Sequence, residues 1–334
     1  MDSTLGLSGL HNFGSTCYIN AAIQCFSNTK DLTEYFLDTN IEKYLIKKNI
    51  LVREYYKLLS GIHEENCTIA PSSLFKSLKY IGKRNKLDIC FSDQNDIHEF
   101  IIFFIDTLHE ELKRKVNITI SGKIINKEDK LAYDSMIYWK KFFEKNYSKI
   151  INLFYGQTMS IIKVKGTDIE SINYSPLCVF SLPIDDKKKI NINDCFNLFT
   201  KKHKLEGDNK WKYKDKYYNA TQHIEIWDFP QILIIHLKRF DNNGMKIDKF
   251  IDFPIKQLDL RKYCVGYESD KSIFDLYAIC NHIGFCNIGH YYAYCKNINN
   301  NRWYNFDDNN IMEIGEDELV TNNAYCLFYR KRDT

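Results

Sequence analysis

This 334-residue chain has few prolines, no long apolar run, no large excess of charge and no basic, apolar leader at its start. Only five prolines occur, and no apolar stretch approaches the ~18 residues that a membrane span needs. Lysine and arginine (46) barely outnumber aspartate and glutamate (43), so the net charge of +3 lacks the excess typical of nucleic-acid binding. The sequence does not open with a basic, apolar leader, which predicts no secretory signal. Nucleic acid and membrane are therefore disfavoured as partners.

The eleven cysteines contain no C-x-x-C pair and form no dense framework. This usage favours a reducing compartment and free thiols. No targeting signal stands out, so the default location is the cytoplasm, with the nucleus as a second expectation. A hydrophobic content of 44% and an aromatic content of 15% indicate a globular chain with an ample core. One of these free thiols is therefore a candidate nucleophile.

Helices are predicted in the front third of the chain and strands in the back third. From Ile97 to Leu112, apolar residues recur at intervals of three and four, which places them on one face of a helix. A second helical pattern runs from Ile19 to Phe26. Four strand-like, apolar or aromatic segments follow later, at 232–237, 290–296, 302–307 and 325–330. Helices followed by strands predict an α+β fold.

A cysteine stands at the start of one predicted helix. Ser15 and Thr16 are residue types that favour the N-cap, so Cys17 is expected in the first helical turn. There the helix dipole favours the thiolate, which is the nucleophilic form. Asn12, in a glycine-flanked loop, could direct its amide at a developing oxyanion. The alternative is an ordinary buried cysteine beneath a helix.

An asparagine-rich turn between two aromatic strands predicts a hairpin near the end of the sequence. Pairing His290 with Asp307 centres the turn at 298–299, and facing Cβ atoms would then be about 4.5–5.5 Å apart. The carboxylate could fix the imidazole tautomer and leave the other nitrogen for Cys17. A slip of one residue would favour Asp308 instead. The alternative is an exposed hairpin with ordinary polar residues.

These two segments resemble the ubiquitin-specific protease family, a papain-like group of deubiquitinating enzymes. Between Gly9 and Asn20 the chain contains every fixed residue of a Cys box, GL-x-N-x-G-x-T-C-Y-x-N, and from Gly289 it contains a His box, G-H-Y followed by W-x-x-F-D-D. Further segments similar to the family occur in its order, at 93–100, 139, 154–157, 233–240 and 324–329. The resemblance covers about residues 9–331 and implies a bare catalytic domain.

The resemblance implies an α+β, papain-like architecture in one domain spanning 1–334. A helical thumb would occupy about residues 1–153. Fingers would form mainly from about 154–225, and an antiparallel palm sheet mainly from about 226–334.

The resemblance also assigns roles to single residues. The implied catalytic set is Cys17 as nucleophile, His290 as general base, Asp307 as the residue that orients it, Asn12 as oxyanion donor and Asp308 as a second polar group. Asp96 matches an acidic residue that faces the basic tail of ubiquitin, and Tyr291 matches an aromatic lining the channel for that tail. Gly289 belongs to 283–289, which is similar to a mobile loop above the channel and has two glycines that allow movement.

The implied reaction is hydrolysis of the isopeptide bond after the C-terminal glycine of ubiquitin, through a thioester on Cys17. Ubiquitin and ubiquitinated proteins would be the partners of a monomer that needs no cofactor. Three alternatives remain: the same chemistry on another ubiquitin-like modifier, an inactive ubiquitin-binding module, and a general protease of unfolded peptides. The filled catalytic positions argue against the second, and the large middle region argues against the third.

The chain departs from the family in its fingers, which many members hold with zinc on two C-x-x-C pairs. Tyr213 and Lys216 occupy ligand positions of the second pair, so we expect no finger zinc. The fingers would rely instead on aromatic packing by Trp211, Tyr213, Tyr217 and Tyr218. Zinc-ligand types also cluster at Cys280, His282, Cys286 and His290. Their spacing matches no zinc pattern and would consume His290, so no metal is expected there.

Overall fold

The computed structural model describes residues 5–85, 95–185, 187, 189–241, 243–285 and 288–332. The α-helices in these ranges are α1 Cys17–Ser27, α2 Lys30–Leu37, α3 Ile50–Glu64, α4 Ser72–Arg84, α5 Ile97–Leu112, α6 Lys127–Phe143, α7 Lys149–Phe154 and α8 Ile192–Phe199. None of the helices in the described ranges is long and apolar enough to cross a bilayer.

Both helices predicted from the sequence are present. α5 begins after Asp96, whose Oδ1 accepts a hydrogen bond from the backbone N–H of His98 at 2.8 Å. Its predicted apolar stripe is buried along its whole length, from Ile97 to Leu112. In α1 every residue is buried, so this helix runs through the core of the molecule with protein on all sides.

The first half of the strands are β1 Gly9–Leu10, β2 Thr68–Ile69, β3 Gly156–Val164, β4 Glu170–Leu177, β5 Val179–Leu182, β6 Ile190–Asn191, β7 His203–Leu205, β8 Trp211–Tyr213 and β9 Lys216–Tyr218. The second half are β10 Ala220–Asp228, β11 Ile232–Leu237, β12 Ile251–Asp252, β13 Leu258–Asp259, β14 Ile273–Phe285, β15 Ile288–Lys296, β16 Trp303–Asp307, β17 Asn310–Ile314 and β18 Ala324–Lys331. The four strand-like segments of the sequence correspond to β11, β15, β16 and β18.

An eight-stranded sheet forms the centre of the fold, in the order β17-β16-β15-β14-β18-β11-β5, with β13 paired to β14. Its neighbours are antiparallel except β11 and β5, which run parallel. The predicted antiparallel palm is therefore a mixed sheet. The parallel pair is possible because a long crossover connects β5 to β11. β5 lies within the segment predicted mainly for the fingers but belongs to this sheet.

The two faces of this sheet are both covered, which explains the continuous apolar run of β11. Ile232 and Ile234 face the cluster that contains α1, α3 and α5, whereas Leu233 and Ile235 face a second cluster that includes α8. A strand buried on both faces needs apolar residues at every position instead of alternating ones.

A separate four-stranded sheet, β4-β3-β10-β7, and the β8–β9 hairpin make up the region predicted as fingers. Trp211 stacks on Tyr213 with ring centroids 5.1 Å apart, as the predicted aromatic packing requires. Tyr217 is 66% exposed, so the prediction was wrong for this residue, whose side chain projects from a two-stranded hairpin. No cysteine lies on β3, β4 or β7–β10, so these strands do not fit a zinc ion bound by thiolates.

The beginning of the chain is tied to its end. The carbonyl of Leu5 accepts hydrogen bonds from Nδ2 of Asn297 at 3.0 Å and of Asn299 at 2.7 Å. Leu10 N donates to the carbonyl of Asp308 at 2.8 Å. These contacts place the loop before α1 directly against the β15–β16 and β16–β17 turns.

Candidate active site

Cys17 is the first residue of α1, as the sequence predicts, and it is only 2% exposed. The hydroxyl of the N-cap residue, Thr16, is turned toward the preceding loop. It accepts from the N–H of Phe13 at 2.9 Å and donates to Oδ1 of Asn12 at 3.1 Å. The loop before Cys17 is therefore held by its own polar side chains, and the positive end of α1 faces the thiol.

The β15–β16 hairpin forms, but two residues away from the predicted register. The ladder pairs Ala293 with Phe306, which moves the centre of the turn to 299–300. A shift of two keeps every side chain on its predicted face. His290 and Asp307 therefore still meet, as diagonal neighbours, with Nε2 2.6 Å from Oδ1. The predicted pair is confirmed and its register corrected.

The same imidazole is hydrogen-bonded to Cys17. This contact is the largest influence on the pKa of His290, which rises from 6.5 to about 9, and the hydrogen bond to Asp307 adds to the rise while burial opposes it. Because Nε2 is bound to Asp307, Nδ1 is the nitrogen left for the thiol. The contacts with Cys17 and Asp307 thus favour the protonated imidazolium form of His290.

We expect the His290 ring to titrate with a midpoint near pH 9 in an NMR pH series. A raised pKa means that the folded protein holds the proton where an ordinary imidazole has lost it. The stability that this contact contributes is present below pH 6.5 and disappears as the pH rises through about 9. Cys17→Ala removes the largest cause, so the midpoint of that variant should fall. A midpoint that stays near 9 in Cys17→Ala would contradict the assignment.

Asp308 is bound to the N-terminal part of the chain. Its Oδ2 accepts from Nδ2 of Asn12 at 2.8 Å and its Oδ1 accepts from Nδ2 of Asn20 at 2.7 Å. Its backbone has a φ of +50°, a left-handed conformation that aspartate tolerates better than most residues. Asp307 therefore bonds to His290, whereas Asp308 positions the loop of Asn12.

Asn12 is compatible with the predicted oxyanion role. Its Oδ1 accepts from the N–H groups of Gly14 at 2.9 Å and Thr16 at 3.2 Å, which fixes the amide plane. Of the two hydrogens on its Nδ2, Asp308 uses one and the other is left for a ligand. The role itself stays a prediction.

The sequence analysis gave no role to Asn20, which the structure places against Asp308. It is 2% exposed on α1, and its Nδ2 bonds to Asp308 and to the carbonyl of Leu10 at 3.2 Å. It thereby joins α1 to the β16–β17 turn. A signal was available, because Asn20 is a fixed residue of the Cys box that received no role.

Asp96 and Tyr291 lie close together at the start of α5. Asp96 Oδ2 accepts from the hydroxyl of Tyr325 at 2.7 Å. Burial raises the pKa of Tyr291 well above its usual value, and the nearby Asp96 carboxylate adds to the rise. Tyr291 is only 6% exposed and packs beside Tyr325, with ring centroids 6.0 Å apart. The predicted contact of both residues with a basic tail remains a prediction.

Gly289 is placed against a buried histidine. A Cβ added to it would lie 2.2 Å from Nε2 of His282, which is 1% exposed, and 2.8 Å from the carbonyl of Ile283. Within the predicted mobile loop, Gly284 pairs with Gly289 in the β14–β15 ladder. Residues 286–287, including Cys286 of the rejected zinc cluster, lie outside the described ranges. In the structure, the missing side chain of Gly289 allows its backbone to pack closely against His282.

We therefore expect Gly289→Ala to lower the free energy of unfolding by about 1–3 kcal/mol, because the new methyl group overlaps His282. Chemical denaturation measures the change. Gly61→Ala in α3 is the matched control, since the nearest atom to its Cβ is Cδ1 of Ile69 at 3.4 Å. That substitution should stabilise the helix by up to about 1 kcal/mol. Equal effects of both changes would refute the packing argument.

A family model described as "Ubiquitin carboxyl-terminal hydrolase" matches residues 8–329. Ubiquitin carboxyl-terminal hydrolase 2 of Homo sapiens is 32% identical over 98% of this chain and 55% of its own length. Ubiquitin carboxyl-terminal hydrolase Usp2 of Drosophila melanogaster is 31% identical over 98% of this chain and 35% of its own. The chain thus spans about half of the length of the human relative and about a third of the length of the Drosophila relative.

A similar solved structure is the SAGA Ubp8/Sgf11/Sus1/Sgf73 DUB module bound to ubiquitin aldehyde. It matches with a TM-score of 0.75 and 26% identity, over 100% of this chain and 71% of that one. The fold of this neighbour agrees with the α+β, papain-like architecture predicted from the sequence. The family model covers nearly all of the described residues, including α1 and the β15–β16 hairpin. The chain therefore belongs to the ubiquitin carboxyl-terminal hydrolase family.

Proposed function

We propose that this chain is a thiol-dependent deubiquitinase that hydrolyses the isopeptide bond after the C-terminal glycine of ubiquitin. The observation that carries the proposal is the contact of His290 with Cys17 on one side and Asp307 on the other. A thiol at a helix start, an imidazole and an orienting carboxylate are the parts that nucleophilic acyl transfer needs. All three belong to one chain, so the proposed reaction needs no residue from a second copy, and we propose that the protein acts as a monomer.

In the first half-reaction the Cys17 thiolate attacks the carbonyl carbon of the terminal glycine. The C=O π electrons move to oxygen, and the oxyanion is held by the backbone N–H of Cys17 and the second Nδ2 hydrogen of Asn12. One such donor contributes on the order of 10²–10³ in rate. The His290 imidazolium then protonates the lysine amine as the C–N bond breaks, which leaves a thioester.

In the second half-reaction neutral His290 takes a proton from water, and the resulting hydroxide attacks the thioester carbonyl. The C–S bond breaks, and the thiolate and imidazolium are regenerated. Asp307 holds the ring through Nε2 in both steps, so the nitrogen that faces Cys17 also serves the leaving amine and the water.

The partner follows from the relatives and from the charge of the channel. The Ubp8 module was solved bound to ubiquitin aldehyde and to monoubiquitin, which supports ubiquitin as the modifier. The half-buried carboxylate of Asp96 is suited to pair with a basic tail, and the adjacent phenol rings of Tyr291 and Tyr325 would restrict bulky side chains. Another ubiquitin-like modifier remains the alternative substrate.

A panel of modifiers carrying C-terminal electrophiles tests this proposal. Purified protein should form a covalent adduct with the ubiquitin probe, and it should release the fluorophore from a ubiquitin C-terminal amide. Faster labelling by a different modifier would transfer the proposal to that modifier. Failure of every probe, in protein whose melting curve shows it folded, would leave an inactive binding module. Cleavage of short unrelated peptides at a similar rate would favour a general protease.

A further inference from the structure

The carboxylate of Asp96 is hydrogen-bonded through both of its oxygens. Oδ1 accepts from the backbone N–H of His98 at 2.8 Å, and Oδ2 accepts from the hydroxyl of Tyr325 at 2.7 Å. The N–H belongs to the first turn of α5, so the helix itself fixes Oδ1. The hydroxyl comes from β18, 229 residues later in the chain. Tyr325 is therefore the distant contact that fixes the second oxygen.

The ring of Tyr325 is held in place by other rings. It is 1% exposed, and its centroid lies 4.9 Å from that of His236 and 5.9 Å from those of Phe240 and His282. Close packing on several sides holds a side chain in one rotamer. Burial also raises the pKa of this phenol above its usual value, and the nearby carboxylate of Asp96 adds to the rise. The hydroxyl thus stays protonated and directed at Asp96 before any ligand arrives.

The imidazoles beside Asp96 are uncharged at neutral pH. A ring nitrogen from each of His98 and His236 lies within 4.8 Å of an Asp96 oxygen. The two rings are stacked, with centroids 4.0 Å apart, and Oγ of Ser181 lies 3.1 Å from a nitrogen of each. Burial lowers the pKa of both histidines, that of His236 to about 2. Since neither ring carries a charge, the negative charge of Asp96 is left for a ligand that brings its own cation.

Each oxygen of Asp96 keeps a lone pair for such a ligand. A carboxylate has about two acceptor sites on each oxygen, and one on each is used within the protein. An arginine guanidinium binds a carboxylate through two parallel N–H···O bonds, which requires both oxygens to face it together. Without the tyrosine hydroxyl the carboxylate would be held at one oxygen only and would be free to rotate away from that arrangement.

We propose that Tyr325 is a positioning residue for substrate recognition, whose hydroxyl holds the Asp96 carboxylate in the orientation that binds an arginine of the ubiquitin tail. This inference rests on the proposed function, in which Asp96 receives that tail. The hydroxyl takes no part in the contacts that connect His290 with Cys17 and Asp307. Its loss should therefore raise KM and leave kcat unchanged.

Steady-state hydrolysis of two fluorogenic amides tests the inference, one with the natural ubiquitin tail and one whose tail arginines are replaced by glutamine. Tyr325→Phe keeps the ring and removes only the hydroxyl. With the natural tail its KM should rise about tenfold, as expected for losing a hydrogen bond to a charged group. Replacing the arginines should then cost about tenfold less than it does in the unaltered enzyme. para-Aminophenylalanine at this position keeps a donor and should restore the low KM.

Tyr329→Phe is the matched control. Tyr329 is also on β18 and fully buried, and its hydroxyl donates to the carbonyl of Pro254 at 2.8 Å. This variant should lose stability to a similar extent but keep the KM and the arginine dependence of the unaltered enzyme. The inference is overturned if folded Tyr325→Phe has the KM of Tyr329→Phe, or if it retains the full cost of replacing the arginines. If Tyr325→Phe does not fold, para-fluorophenylalanine takes its place, because fluorine fills the space of the hydroxyl but donates no hydrogen bond.

Binding without turnover separates this inference from the proposed function. In chains with Cys17→Ala, calorimetric titration with ubiquitin should show about tenfold weaker binding after Tyr325→Phe and no change after Tyr329→Phe. Hydrolysis and binding that are both indifferent to Tyr325→Phe would refute the positioning role alone. Ubiquitin binding that depends on Tyr325, without hydrolysis by the unaltered chain, would refute the proposed function alone. Absence of both hydrolysis and ubiquitin binding would refute both.

Discussion

Cys17→Ala should abolish covalent labelling by a ubiquitin probe with a C-terminal electrophile, together with all measurable hydrolysis. The nucleophile is the sulfur that forms the thioester, and an alanine offers no replacement. Burial of this thiol does not oppose the expectation, because His290 contacts it and holds a proton up to about pH 9. Intact-protein mass spectrometry of the adduct measures labelling, and a fluorogenic ubiquitin amide measures turnover.

Two other thiols serve as matched controls. Cys67 is exposed, so Cys67→Ala tests whether accessibility alone determines labelling. Cys25 lies two turns along the same helix as Cys17 but is packed against Cys280, with 3.4 Å between the sulfurs. Burial raises the pKa of Cys25 well above its usual value, which disfavours its thiolate. The Cys67→Ala and Cys25→Ala variants should both be labelled fully by the ubiquitin probe. Loss of the adduct in Cys67→Ala would overturn the assignment of Cys17 as the nucleophile.

Local sequence patterns were sufficient to predict the two helices α1 and α5. The spacing of apolar residues from Ile97 to Leu112 placed α5, and the polar residues before Cys17 placed the start of α1. The order of helices and strands indicated the fold class. These features depend on contacts within a few residues, which a sequence shows directly.

Asp307→Asn should lower kcat/KM by about 10²–10³. The same change in a buried Ser-His-Asp triad costs about 10⁴, because the amide favours the wrong imidazole tautomer. The smaller figure reflects exposure, since 42% of the Asp307 side chain and 34% of the His290 side chain are accessible and solvent can partly replace the carboxylate. The midpoint of the His290 titration should fall from about 9, because Asp307 contributes to raising it.

Asp308→Asn provides the comparison. Asparagine tolerates the φ of +50° at this position, but its single acceptor oxygen cannot serve both Asn12 and Asn20. Losing one hydrogen bond to a charged group should lower the free energy of unfolding by about 1.5–3 kcal/mol. The His290 midpoint should move less than it does in Asp307→Asn, because Asp307 is the aspartate hydrogen-bonded to the ring. If Asp308→Asn shifts that midpoint more than Asp307→Asn does, the two aspartates have been assigned the wrong way round.

The features that the sequence could not predict depend on distant pairings. The register of β15 and β16 was wrong by two residues because the asparagine-rich turn offers several adjacent centres, and Asn297 is instead fixed by its bond to Leu5. The position of Asp308 was not predictable either. Its partner Asn12 is 296 residues away, and no local pattern encodes that contact.

The stacking of His98 on His236 could not be predicted from the sequence for a different reason. His236 lies inside an apolar run that predicts a buried strand, and His98 lies on the polar side of a helical pattern. Each is unremarkable within its own element. Their stacking, and the shared Ser181, arise only when β5 and β11 pair in parallel and α5 packs beside them.

The bonds between Asp308 and the residues around Cys17 join positions 288 and 296 apart in the chain. During synthesis Cys17 is made early, whereas His290, Asp307 and Asp308 follow only after most of the chain has been translated. Pairings of such high sequence separation also form late in folding, because loop closure must come first. Under the proposed function, a nascent or half-folded copy would therefore have no activity, and hydrolysis would begin only when the tertiary structure is complete.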